Sequence, residues 1–137
     1  ILYGDDMKIS QILMNIIGNA VKFTESGYVK ISVNIKSLHN NKYNLEFIIE
    51  DTGIGISKEN LCNLFECYNQ LDGNITNKYG GTGLGLYISK KLSNLMHGNI
   101  TATSSIGIGS IFNITIQVES AENKELVSST EDLTILI

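Results

Sequence analysis

The stretch Ile9-Ser-Gln-Ile-Leu-Met-Asn15-Ile-Ile-Gly-Asn19-Ala-Val-Lys22 decides how the rest of the chain must pack. Ile9, Ile12, Leu13, Ile16, Ile17 and Ala20 fall at i, i+3, i+4, i+7, i+8 and i+11, a broad apolar stripe that predicts a helix over 5–23. Asn15, Asn19 and Lys22 follow at i, i+4 and i+7, so they make a second, polar stripe along another edge of the same helix. The apolar stripe needs a partner layer, and the residues after it supply one. Val29, Ile31, Val33 and Ile35 alternate with polar residues, as in a half-buried strand. Leu45–Glu50 is more continuously apolar, as in a more central one, with His39–Lys42 as the hairpin loop between them.

Further along, 57–66 predicts a short helix capped by Ser57, with Leu61, Leu64 and Phe65 inward. Residues 67–82 are polar, asparagine-rich and closed by two glycines, and their length predicts a mobile functional loop. A helix follows from about Leu84 to Met96, with Gly98 suited to its end. Two last strands fit 99–104 and 110–118, where Phe112, Ile114, Ile116 and Val118 alternate with polar residues. The order is not the regular alternation of a doubly wound sheet. It predicts an α/β two-layer sandwich, a mixed β-sheet covered on one face by helices.

Composition narrows the function classes. The 137 residues fit one domain, and 42% hydrophobic with 18% charged residues reads as a soluble globule. No apolar run approaches the roughly 20 residues of a membrane span. The start, Ile1-Leu2-Tyr3, has neither an initiator Met nor a signal-peptide layout, as expected of a cytoplasmic piece of a longer parent that membrane anchoring would not contradict. From Glu119 onward five acids face one Lys, so the tail holds the whole net charge of −4 and residues 1–118 are formally neutral. That balance offers no footprint for nucleic acid. The cations are all Lys, so any cationic phosphate contact is a point charge, not a bidentate fork. Cys62 and Cys67 have no zinc spacing and make no disulfide framework.

Three islands carry chemistry. A carboxamide oxygen is a suitable hard ligand for Mg²⁺, which Asn19 could supply. Asn15, one turn earlier, could orient a ligand water or a phosphate oxygen, and Lys22 could neutralise phosphate charge. Asp51, at the end of the second strand, could accept a hydrogen bond from the exocyclic amine of adenine, with Gly53 and Gly55 letting backbone approach a flat ring. Gly80-Gly81-Thr82-Gly83-Leu84-Gly85 runs into a helix start and offers backbone N–H groups to an anion. It matches neither the dinucleotide-binding nor the P-loop spacing. Each island alone has a bland reading: a solvated helix face, a strand-to-loop turn, a helix entry.

In order, however, Asn15–Thr24 resembles the N box of sensor histidine kinases, and Asp51-Thr-Gly-Ile-Gly55 their G1 box. Leu64-Phe65-Glu66 with Tyr68 and Gln70 resembles the F box, and Gly81–Leu86 the G2 box. The resemblance runs from about Gly4 to Val118. It implies the catalytic domain of a histidine kinase, with the Bergerat fold of the gyrase, Hsp90 and MutL superfamily, a mobile ATP lid, and ATP and Mg²⁺ as cofactors. It assigns Asn19 to the metal, Asn15, Asn19 and Lys22 to catalysis, and Asp51, Gly53, Gly55 and Phe65 to nucleotide binding, with Asp51 on the adenine amine. Lys78, Gly81, Thr82, Gly83, Leu84 and Gly85 fall to the lid and hinge. The gyrase-type branch usually has Glu where Asn15 stands, and Asn cannot take a proton, which favours transfer over hydrolysis. Cys67, Tyr68 and His97-Gly98 depart from the pattern.

The resemblance therefore implies donation of the γ-phosphate to a histidine on a separate phosphoacceptor helical domain of a dimeric parent, in two-component signalling. Within 1–118 as the catalytic domain and 119–132 as an acidic linker, residues 133–137 would begin a receiver domain, implying a hybrid kinase. The rival readings are a degenerate nucleotide-binding regulatory module, or an ATPase or protein-serine kinase on the same fold.

Overall fold

The computed structural model describes residues 2–37, 40–66, 84–120 and 130–137. The expected loop, with Cys67, Tyr68, Gln70, Lys78, Gly81, Thr82 and Gly83, lies outside the described residues, as does His39.

The elements in chain order are β1 (Leu2–Tyr3), α1 (Asp6–Lys22), β2 (Tyr28–Ser37), β3 (Lys42–Asp51), α2 (Lys58–Cys62), α3 (Gly85–Leu95), β4 (Asn99–Ser105), β5 (Gly109–Ser120) and β6 (Thr130–Leu136). The strands form one sheet in the order β1-β5-β3-β2-β6, with β4 on the same edge of β5 as β1. Helices α1 and α3 pack on each other and on the sheet. This is the expected two-layer sandwich. Every pairing among the described residues is antiparallel, which corrects the expectation of a mixed sheet. Two of the ladders join chain-adjacent strands, β2–β3 and β4–β5. Strand β4 does run parallel to β3, but β5 lies between them, so no parallel ladder forms.

Local chemistry explains the boundaries. Asp5 caps α1, accepting from the Lys8 N–H at 3.0 Å, and Ser57 caps α2, accepting from Asn60 at 3.3 Å. Asn40 and Asn41 sit at φ 59° on the way into β3, a left-handed conformation that asparagine tolerates. After α3 the left-handed residue is His97, at φ 54°, and not Gly98. Helix α2 ends at Cys62, short of the expected 66, because Leu64 turns inward through a tighter turn.

The core lies between the layers. Ile12, Ile16 and Ala20 of α1 are buried against Val29, Ile49, Ile100, Phe112, Ile114 and Ile116 of the sheet. Ile16 is fully buried, so Ile16→Ala removes three carbons from the centre of this contact. It should cost about 2–5 kcal/mol, measured by urea unfolding.

Strand β6 lies on the outer edge of β2 in register from Tyr28↔Leu136 to Asn34↔Thr130, with a 2.9 Å Lys30–Asp132 ion pair. Residues 133–137, the expected start of a further domain, lie in this edge strand and the residue that follows it.

Candidate nucleotide site

A cavity of about 310 Å³ opens between α1, the segment after β3 and the start of β5. That volume is at the small end of small-molecule sites, which run from about 300 to 1,000 Å³. Asn19, Phe23, Asp51, Gly55, Leu64, Ser110 and Phe112 are among its lining residues. The walls are mostly apolar, with a few polar groups placed to fix orientation.

Asp51 is 6% exposed at the end of β3, in register with Ser110 of β5. Its Oδ1 accepts the Gly53 N–H at 2.9 Å. A carboxylate has about four acceptor sites, so acceptor capacity remains beyond this donor. Burial pushes its pKa up, and the neighbouring Gly53 and Ser110 oppose that rise. Ser110 Oγ lies 3.0 Å from Ser104 Oγ, and Ser104 in turn accepts the Ile56 N–H at 2.7 Å. Ser104 thus ties the loop after β3 to the β4–β5 hairpin beside Asp51.

The glycines here are steric requirements. A Cβ on Gly53 would stand 2.4 Å from the Phe23 carbonyl oxygen and 2.9 Å from Asp51 Oδ1. Gly55 has φ +72°, and a Cβ there would stand 2.1 Å from the Ser105 carbonyl oxygen. The backbone therefore runs close under the cavity at both positions.

On α1, Asn19 lines the cavity and Lys22 occupies the last turn, its Nζ 5.2 Å from the Phe23 ring centroid. Asn15 faces α3 instead. Its Nδ2 donates to the Gly85 carbonyl at 3.3 Å and to Ser89 Oγ at 3.1 Å. Leu84 caps α3 without a side-chain hydrogen bond. Leu64 lines the cavity, whereas Phe65 packs against the core with Lys90 Nζ 5.2 Å over its ring. Lys90 also donates to the Ile100 carbonyl at 2.6 Å, and burial lowers its pKa.

The structure thus brings Asn19, Asp51 and Gly55 to one cavity, with Gly53 beneath it and Asn15 and Gly85 at the neighbouring helix contact. Sequence reading missed Ser104, Ser110 and Phe112 as site residues. Ser110 carries a detectable signal: it is the polar member of the inward register of β5, ahead of Phe112, Ile114, Ile116 and Val118. No group of three or more His, Cys, Asp or Glu residues that could hold a metal ion occurs among the described residues, so a metal here would rest on Asn19, waters and phosphate oxygens.

The fold is that of histidine-kinase ATPase domains. The structure superposes on full-length ShkA in complex with AMPPNP with a TM-score of 0.68 and 31% identity, over 88% of this chain and 23% of that one. The mycobacterial sensor histidine kinase MprB gives a TM-score of 0.64 at 22% identity, a likeness of fold, over 85% of this chain and 74% of that one. The chain belongs to the histidine kinase-, DNA gyrase B- and HSP90-like ATPase family, whose pattern matches residues 4–120. It is 41% identical to histidine protein kinase 1 of Candida albicans over 119 residues, 87% of this chain and 5% of that protein. Hybrid signal transduction histidine kinase F of Dictyostelium discoideum is 39% identical over 132 residues, 96% of this chain and 12% of that protein. Signal transduction histidine-protein kinase BarA of Escherichia coli is 45% identical over 109 residues, 80% of this chain and 12% of that protein. The chain thus spans a small part of these relatives' length. No helix among its described residues is long and apolar enough to cross a membrane.

Proposed function

We propose that this domain binds Mg·ATP and donates the γ-phosphoryl group to a histidine on a separate helical domain of its parent. One observation carries the reading: a buried carboxylate, Asp51, with acceptor capacity to spare, shares a cavity with Asn19. The spare acceptor suits the exocyclic amine of adenine, and Phe112, Leu64 and Phe23 offer apolar surface to a purine ring. Asn19 would hold the metal through its carboxamide oxygen, and Lys22 would neutralise phosphate charge. The metal, when bound, would draw charge from the phosphate oxygens. The AMPPNP complex of ShkA supports the same ligand class.

Catalysis would rest on positioning and charge neutralisation. No carboxylate stands at position 15, so nothing there takes a proton from water, and transfer to a histidine is favoured over hydrolysis. We further propose that Lys78, Gly81, Thr82, Gly83, Leu84 and Gly85 form the lid and hinge, with Phe65 bracing the base end. The parent would be a cytoplasmic or membrane-anchored dimer that passes the phosphoryl group to a receiver domain or response regulator. The histidine kinases among its relatives, hybrid ones included, support that setting.

The test is phosphorylation in the parent protein with ATP labelled at the γ-phosphate. The expected product is an acid-labile, base-stable phosphohistidine. A parent that binds Mg·ATP yet forms none contradicts the donor role.

A further inference from the structure

Helix α3 buries two serines one turn apart, and they are not alike. Ser93 is 0% exposed and donates to the Thr115 carbonyl of β5 at 2.9 Å, an ordinary tie between a helix and its sheet. Ser89 is also 0% exposed, but its hydroxyl meets Asn15 of α1. For packing alone an Ala would fill the same small space between two helices. A hydroxyl there needs another reason.

The Asn15 amide nitrogen has two hydrogens and two acceptors within reach, the Gly85 carbonyl and Ser89 Oγ. A peptide carbonyl can only accept, so the nitrogen end of the carboxamide must face α3. Both hydrogens are then used, and the oxygen is turned away from α3. No hydrogen bond reaches that oxygen among the described residues, and no buried side-chain oxygen there lacks a partner, so Oδ1 meets solvent. Asn15 can offer an acceptor and nothing else. One turn further along α1, Asn19 makes no side-chain hydrogen bond among the described residues and lines the cavity.

We propose that Ser89 is a positioning residue of this site: with the Gly85 carbonyl it locks the Asn15 carboxamide as an acceptor only. Asn15 then meets the phosphate end through a metal-bound water, and not by donating to a phosphate oxygen. This rests on the Mg·ATP reading above and decides between the two roles the sequence left open for Asn15. A water held in the metal's outer shell by a fixed acceptor contributes to metal affinity, and losing such a partner typically costs 10- to 100-fold.

The experiment is calorimetric titration of the full chain with Mg·ATP, and with ATP in EDTA, for the wild type, Asn15→Ala, Ser89→Ala and the double variant. Ser89→Cys repeats the test with volume nearly kept and a weak acceptor. The lock predicts that Mg·ATP affinity falls about tenfold in Asn15→Ala, in Ser89→Ala and in the double variant alike. Metal-free ATP affinity should stay within about twofold throughout, because the base end is untouched. Equal losses with and without magnesium, or losses that multiply in the double variant, overturn the positioning role. Exchange of the Asn15 side-chain amide protons reads the lock without nucleotide: it should be slow in the wild type and speed up in Ser89→Ala. No change there overturns the lock even if ATP binds, and a wild type that binds no nucleotide overturns the site reading itself.

Discussion

Asp51→Asn should weaken ATP binding on the order of 10- to 100-fold and leave the fold intact. The exchange keeps shape but turns one acceptor oxygen into a donor amide. Gly53 already presents a donor to this group, so the new amide must turn away from it, toward the cavity, and offer hydrogens where an adenine amine also offers hydrogens. A hydrogen bond to a charged acceptor is worth about 1.5–3 kcal/mol, which sets the size of the loss.

The pH dependence follows from the same burial. The folded pKa of Asp51 is raised above its ordinary 3.8, so the folded state holds this proton more tightly than the unfolded chain. The resulting contribution to stability is fully present below 3.8 and is lost as pH rises through the folded value. Binding runs the other way, because only the ionised carboxylate serves adenine. ATP affinity should therefore begin to fall, on acidification, at a higher pH than an ordinary aspartate would give. Calorimetric titration across that window checks both the sign and its absence in Asp51→Asn.

Gly55→Ala should be severely damaging. The position has φ +72°, which an alanine adopts only with strain, and the added Cβ would lie 2.1 Å from the Ser105 carbonyl oxygen. That oxygen belongs to β4 at the β4–β5 turn, where Gly107 N–H is bonded to the Ile54 carbonyl at 2.8 Å, so neither side yields easily. The expected cost is about 2–4 kcal/mol by denaturant unfolding, with nucleotide binding lost alongside. A loss below about 1 kcal/mol would mean that the hairpin can move away from the loop, against the close approach described above.

Particular residues show how far the chain could be read in advance. Helix α1 was legible because its apolar positions repeat at helical spacing, and β2 and β5 because theirs alternate. Asp51 and its glycines were legible as a strand end followed by a flexible turn. Strand β1 was not, since two residues carry no period. The fully antiparallel sheet was not legible either: it depends on β5 pairing with β3, a contact between distant residues. Ser104 and Ser110 went unnoticed because a serine in a strand usually faces water, and only the register of β5 turns Ser110 inward. The tie of Asn15 to Ser89 joins residues 74 positions apart, beyond any local pattern.

The central claim is that Asp51 makes this cavity an adenine site. Titration of the wild-type chain with Mg·ATP and, separately, with Mg·GTP tests it most directly. Guanine presents a carbonyl where adenine presents its amine, and that oxygen would meet the Asp51 carboxylate. The account predicts saturable binding of ATP and at least tenfold weaker binding of GTP, on the order of one lost charge-assisted hydrogen bond. Equal affinity for the two nucleotides, or binding of neither, would contradict it.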